Sequence, residues 1–255
     1  MRMFKKLEWS PVFCCVFMLL MLCVSNLFAG NPVTTEALFK QGVQAYAGGE
    51  FDQSAEFFRQ ATTVSPSFGA LHNLGNAEWK AGHGGAAILA WEQAQWLSPF
   101  SKQTRENLLF ARREAQLDAP ELTWYEVCSS WLPPDLWIWI AFVSFWLAVA
   151  LMVLPGALRW RRADWHQGLA VAALALFLLT IPGIIGVHTR TRLGIVLSQE
   201  APLRLTPTSE GQVLVRLHGG EGARLEKQRG KFIFVRTTGG AGWVEGDQLG
   251  LISRP

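Results

Sequence analysis

The sequence predicts a multi-domain membrane protein in three parts: an all-α helical-repeat solenoid, a two-helix transmembrane hairpin and a small all-β barrel. Three observations carry this reading. Landmark residues recur 33 positions apart in the first half of the chain. Two uncharged stretches of membrane-spanning length follow, joined by a short basic loop. The C-terminal segment then alternates apolar and polar residues in short runs broken by glycines.

Composition agrees with that division. The chain is 50% hydrophobic and 17% charged and carries twelve Trp, which suits a protein partly in lipid. A net charge of +3 without a dense Lys/Arg stripe points away from nucleic-acid partners. The charge is unevenly spread. Residues 30–135 hold seven Lys+Arg against twelve Asp+Glu, whereas residues 188–255 hold ten against six. Opposite signs draw two segments together or give each a partner of opposite charge, although ordinary surface variation is the plainer account.

The N-terminus has the three parts of a secretory signal peptide, predicted over 1–29. Arg2, Lys5 and Lys6 make the basic start, Pro11 to Val24 the apolar core, and Ser25 to Gly30 the small-residue exit, with cleavage expected after Ala29. An uncleaved anchor is the alternative. No lipobox precedes Cys23. With Cys14, Cys15 and Cys23 all in this stretch, Cys128 is left alone and no disulfide framework is expected.

The repeat segment spans 34–117. Gly42 and Gly75, Ala61 and Ala94, and Pro66 and Pro99 are all 33 residues apart. The second copy is the clearer, with Leu71, Leu74, Gly75, Ala77, Trp79, Ala87, Trp91, Ala94 and Pro99; the first has Leu38, Gly42, Tyr46, Phe51, Phe58, Ala61 and Pro66. Small Gly75 and Ala87 are expected where paired helices cross closely, and Ser54 stands at the matching place of the first copy. Pro99 stops the second helix. These residues resemble tetratricopeptide repeats, a family of paired antiparallel helices. A further amphipathic helix, Lys102 to Leu117, suits a solenoid cap. The resemblance implies a concave groove lined by the first helix of each pair, and so a partner-binding face at Phe39, Val43, Tyr46, His72, Asn76 and Trp79. Phe39 and His72 stand where chaperone-adaptor relatives carry basic residues, which argues against a carboxylate clamp. Burial in the core is the competing account of Phe39, Val43 and Tyr46.

Residues 118–135 read as a juxtamembrane linker. Residues 136–155 and 168–187 read as transmembrane helices, bounded at Asp135 and Pro155 in the first case and carrying a kink-forming Pro182 in the second. The loop 156–167 contains Arg159, Arg161 and Arg162, so the positive-inside rule assigns it to the cytoplasm. Trp124, Trp131, Trp137 and Trp139 on one side, and Trp160 and Trp165 on the other, read as interfacial belts. Both soluble segments are then expected outside, with Arg190 and Arg192 an exception to the charge rule.

The last segment, 194–255, shows strand-like runs at 194–197, 201–205, 212–217, 223–226, 231–236 and 242–244, with Gly219-Gly220, Gly230 and Gly239-Gly240 expected as hairpin turns. Leu203, Arg204 and Pro207, the central run around Gly222 and Gly230, and the closing Gly242, Trp243 and Val244 resemble bacterial SH3-like domains. Some relatives bind cell-wall peptides, which makes Trp243 a candidate ligand-groove residue; packing is its plainer role.

No catalytic signature occurs. The five His are scattered without HExxH spacing, and neither a GxSxG elbow nor a GxxxxGK phosphate loop is present. No metal ligand set and no cofactor is expected. The order of modules resembles the BatE-type proteins of the bacterial aerotolerance (Bat) group. That resemblance implies a non-enzymatic, membrane-anchored interaction protein of the inner membrane with partners among membrane or periplasmic proteins, including von Willebrand A-domain proteins and a MoxR-type ATPase. The alternative is a cell-wall sensor whose barrel binds peptidoglycan.

Overall fold

A computed structural model describes residues 32–157 and 165–253. The expected signal peptide and the basic loop residues Arg159, Arg161 and Arg162 lie outside these described residues.

Five helices come first: α1 (Pro32–Ala47), α2 (Phe51–Val64), α3 (Phe68–Lys80), α4 (Gly84–Leu97) and α5 (Lys102–Glu114). The starts of α3 and α5 are set by serine caps. Ser67 Oγ accepts from the Ala70 N–H and Ser101 Oγ from the Thr104 N–H, both at 3.3 Å. Gly49 and Gly82, 33 residues apart, hold φ near +79° and +86° in the turns between α1 and α2 and between α3 and α4, a conformation that favours glycine.

The packing repeats with the same period. A Cβ at Gly42 would stand 2.8 Å from the Phe58 ring, and one at Gly75 would stand 2.5 Å from Trp91. Phe58 and Trp91 are themselves 33 residues apart, so one helix-crossing contact occurs twice. Ser54 is fully buried at the first crossing and donates to the Gly42 carbonyl at 2.8 Å. Gly75→Val is therefore expected to overpack this crossing by about 1–3 kcal/mol and lower the apparent unfolding midpoint by about 3–10 °C. Thermal unfolding in detergent checks it against Gly84→Ala, where the nearest atom to the new methyl is 3.7 Å away.

Between this helical region and the apolar helices lies a short helix that the linker reading of 118–135 did not contain, α6 (Trp124–Ser129). Its signal is in the sequence. Thr123 and Glu126 form a capping box, with the Glu126 carboxylate accepting the Thr123 backbone N–H at 2.8 Å.

Two helices are long and apolar enough to cross a membrane, α7 (Pro134–Ala157) and α8 (Trp165–Arg190). At 1.5 Å per residue they extend about 36 and 39 Å. The sequence ended the first at Pro155, but the helix runs through it; a proline withholds a single N–H from the ladder, a loss that apolar helices of this length tolerate. α8 likewise runs through Pro182. The pair pack closely beside it, since a Cβ at Gly183 would fall 2.6 Å from the Trp137 ring.

The remainder is a seven-stranded antiparallel sheet: β1 (Leu193–Val196), β2 (Glu200–Arg204), β3 (Val213–His218), β4 (Gly222–Arg229), β5 (Phe232–Thr237), β6 (Gly240–Glu245) and β7 (Leu249–Leu251), in the order β3-β2-β6-β5-β4-β1-β7. The expected turns at Gly230 and at Gly239-Gly240 join paired strands, with Arg229 facing Phe232 and Thr237 facing Gly240. The expected hairpin at Gly219-Gly220 is corrected. β3 and β4 are not neighbours, and the segment is a corner from one side of the sheet to the other. Gly220, at φ +96°, donates its N–H to Val196 O at 2.7 Å there. Val196, Ala201, Leu203, Leu217, Ala223, Val235 and Val244 form the sheet's own core.

The helical region and the sheet share a second core. Ile88 and Trp91 of α4 and Leu108 and Ala111 of α5 cluster with Leu193 and Ile195 of β1 and with Ile252. Backbone approaches backbone along this seam. A Cβ at Gly85 would stand 2.6 Å from Val196 O, and Gln93 Nε2 donates to Leu251 O at 2.9 Å.

Candidate functional site

The residues expected to form a partner groove divide into three groups. Val43 of α1 is 45% exposed, and with Tyr46, Phe58, Asn73 and Asn76 it lines a cavity of about 180 Å³ between α1 and α3. Phe39 is half-buried below this mouth and packs edge-to-face on Phe58, their centroids 5.4 Å apart. Tyr46 does the same with Phe51 at 5.3 Å. The floor residue Phe58 and the rim residue Asn73 were missed, because periodicity assigned Phe58 to the core and gave Asn73 no role.

His72 turns inward. It is buried, stacks on Phe68 with centroids 5.7 Å apart, and its Nδ1 hydrogen-bonds to Thr104 Oγ1 of α5 at 2.9 Å. Burial lowers its pKa, which holds the ring neutral in ordinary buffers. It ties α3 to α5 rather than facing the cavity.

Asn76 and Trp79 belong to a wider surface. Asn76 Oδ1 accepts from Trp91 Nε1 at 3.3 Å and from Asn107 Nδ2 at 3.0 Å, so α3, α4 and α5 meet at one amide. Trp79 packs on Trp91 and, edge-to-face at 5.8 Å, on Phe110. Phe110 is 56% exposed and its neighbour Leu109 48%, so the apolar residues of this amphipathic helix are only partly covered. The α1–α3–α5 side thus carries open apolar groups next to asparagines, a surface suited to an extended segment with apolar side chains.

A second cleft, of about 480 Å³, lies where the α3–α4 turn meets the sheet. Buried Glu78 accepts from Arg59 and lies 2.9 Å from His83 Nδ1. A carboxylate oriented on an imidazole is a partial acid–base arrangement. Among the described residues, no Ser, Thr or Cys lines this cleft to serve as nucleophile. Its position at the seam makes the cluster a polar clasp on the turn.

In the sheet, Trp243 is half-buried, stands opposite Arg204 and Phe234, and packs edge-to-face on Phe234 at 5.3 Å. A Cβ at the preceding Gly242 would stand 2.7 Å from Arg204 O, so the glycine is needed for strand β2 to reach β6.

A heavily bonded charge that the sequence reading did not single out is Glu126 of α6. Its carboxylate is fully buried and takes Arg224 of β4 in a bidentate pair at 2.7 and 3.0 Å, plus the Thr123 N–H and hydroxyl at 2.8 and 2.9 Å. Burial pushes this carboxyl up, but the bonds from Arg224 and Thr123 outweigh it and hold the pKa at about 2. Among the described residues, no group of three or more His, Cys, Asp or Glu could hold a metal ion.

No protein-family model matches the chain, and no curated protein matches it. What the fold itself defines is a helical protein with two apolar helices of membrane-crossing length and a C-terminal seven-stranded antiparallel sheet.

Proposed function

We propose that this protein is a non-enzymatic scaffold of a bacterial envelope complex, anchored in the inner membrane by α7 and α8 and binding protein partners through its helical groove. The observation that carries the reading is the open apolar face on the α1–α3–α5 side, with Val43 at a cavity mouth and Phe110 exposed where it packs on Trp79. In this reading α1 to α5 are a tetratricopeptide-type solenoid and the sheet an SH3-like barrel. The recurrent Gly42–Phe58 and Gly75–Trp91 contacts support the first assignment. The strand pattern closing at Gly242, Trp243 and Val244 supports the second.

The seam bears on topology. Segments that share a core lie on the same side of any membrane that α7 and α8 cross. With Arg159, Arg161 and Arg162 inside, that side is the periplasm. The seam also changes how two binding modules would cooperate. They are presented in a fixed relation rather than on flexible tethers, which favours a partner complex of matching geometry. The module order's resemblance to BatE-type proteins makes von Willebrand A-domain membrane proteins the first partners to look for.

Deleting either soluble segment would strip the seam, so point substitutions are the cleaner test. Val43→Glu places a charge at the cavity mouth and is expected to weaken partner recovery by about 2 kcal/mol, near 30-fold. Affinity purification of the full chain in mild detergent reads this out, with unchanged unfolding as control. Undiminished recovery of a von Willebrand A-domain partner by this variant and by Phe110→Glu would move the binding site elsewhere. Recovery of wall fragments that depends on Trp243 would favour the cell-wall sensor.

A further inference from the structure

Helix α6 is built inside out. Its inward face carries charge and hydroxyl: Glu126 and Ser129 are buried, with Glu126 paired to Arg224. Its outward face is apolar. Trp124 is 68% exposed and Val127, one turn on, 42%; Trp131 in the turn that follows is 62% exposed, and Leu122 just before the helix 37%. A helix lying in water has the reverse arrangement, because each exposed indole or isopropyl group costs free energy that burial would recover.

Its surroundings indicate which medium covers that face. α6 packs directly on the last turns of α8, leaving no room for a side chain at Gly186, which faces Tyr125 O and Ser129. Trp137 of α7 donates its indole N–H to Ser129 O at 3.2 Å, and Arg190, ending α8, reaches Ser129 Oγ at 3.4 Å. The short helix is therefore seated at the shared end of the two apolar helices. Their own outward surface continues from it in Ile138, Trp139 and Phe142, all exposed. Two tryptophans at that level are the side chains that favour the water–hydrocarbon boundary.

We propose that α6 lies in the headgroup layer of the bilayer, with Leu122, Trp124, Val127 and Trp131 dipped into it, and that the Glu126–Arg224 pair fastens the sheet to this floating helix. The soluble body is then held against the membrane surface in one orientation instead of swinging from α7 and α8. The inference rests on these two helices crossing a membrane.

The test uses the full chain with its four cysteines replaced by serine, reconstituted in phosphatidylcholine–phosphatidylglycerol vesicles. A polarity-sensitive fluorophore is attached at Val127→Cys and, independently, at Trp131→Cys. Thr208→Cys, on an exposed loop of the sheet, is the water reference. Leu147→Cys, exposed in the middle of α7, is the membrane reference. The labels at 127 and 131 are both expected to emit to the blue of the Thr208 label and to be quenched more by lipids spin-labelled near the headgroup than by mid-chain labels. The Leu147 label should show the opposite depth order. Quenching at Leu147 with water-like, unquenched labels at 127 and 131 would overturn the proposal and leave the membrane reading intact. Labels at 127 and 131 that are dry yet insensitive to either spin label would overturn it in favour of a protein partner on α6. No lipid quenching at Leu147 would remove the membrane reading itself.

Discussion

Glu126→Ala is expected to destabilise the protein by about 3–5 kcal/mol, because it leaves Arg224 partly buried opposite an empty space and removes the α6 cap at the same time. Arg224→Ala should cost a similar amount, since it strands a fully buried carboxylate. The double change to Glu126→Leu and Arg224→Met should cost far less than the sum of the single losses, as both charges leave together. The pair also sets an acid limit. Folding lowers the Glu126 pKa from 4.5 to about 2, so its contribution is complete above pH 4.5 and is lost as the pH falls from there toward 2. Arg224 keeps 30% of its side chain in solvent, which holds that contribution to about 2–3 kcal/mol. Denaturation in detergent as a function of pH checks this. The wild type should lose stability between pH 4.5 and 2 that Glu126→Ala has already lost. Parallel acid limbs for the two proteins would mean that the pair is not formed in solution.

Ile88→Asp should be the most damaging single change at the seam. Ile88 is fully buried between α4 and the corner at Gly220, where a Cβ would lie 2.6 Å from its Cδ1. A carboxylate there finds apolar neighbours and costs several kcal/mol, enough to part the helical region from the sheet. Ile88→Val, which removes one methylene, should cost only about 1 kcal/mol. Limited proteolysis separates the outcomes: the aspartate variant is expected to expose cleavage sites in both soluble segments, whereas the valine variant should digest like wild type. An aspartate variant as resistant as wild type would show that the two segments do not depend on each other.

Much of the local structure was legible in the sequence, and little of what joins it. The glycine–aromatic crossings announced themselves because Gly42 and Gly75 recur at a fixed interval. The strands did so because alternation survives where one face is buried. The seam left no comparable trace. Ile88, Trp91 and Leu108 look like ordinary interior positions of a helical array, and Leu193 and Ile195 like ordinary interior positions of a strand. That they bury one another depends on contacts across 85 to 107 positions, which periodicity does not report. The opposite charges of the two segments hinted at attraction, yet among the described residues the shared core is apolar and the Glu126–Arg224 pair crosses between the segments. Gly219-Gly220 was misread as a hairpin because a turn signal marks where the chain bends, and not which strand it meets. Val43 and Asn76, placed on one side of their helices by phase, line the cavity between α1 and α3. His72 shares that phase but was drawn inward by Phe68 and Thr104. α6 was overlooked as too short for periodicity, although Thr123 and Glu126 stood at capping-box spacing.

The shared core also imposes a schedule. During synthesis α4 and α5 are complete roughly 80 residues before β1 leaves the ribosome, an interval of about 4–16 s. Throughout it, the face bearing Ile88, Trp91 and Leu108 has no sheet to cover it, while the chain must deliver both apolar helices and return. The newborn helical region is therefore a temporarily sticky intermediate. On the proposed membrane reading its survival depends on how quickly α7 and α8 insert, so slowing that step should produce aggregates of a protein whose finished form is sound.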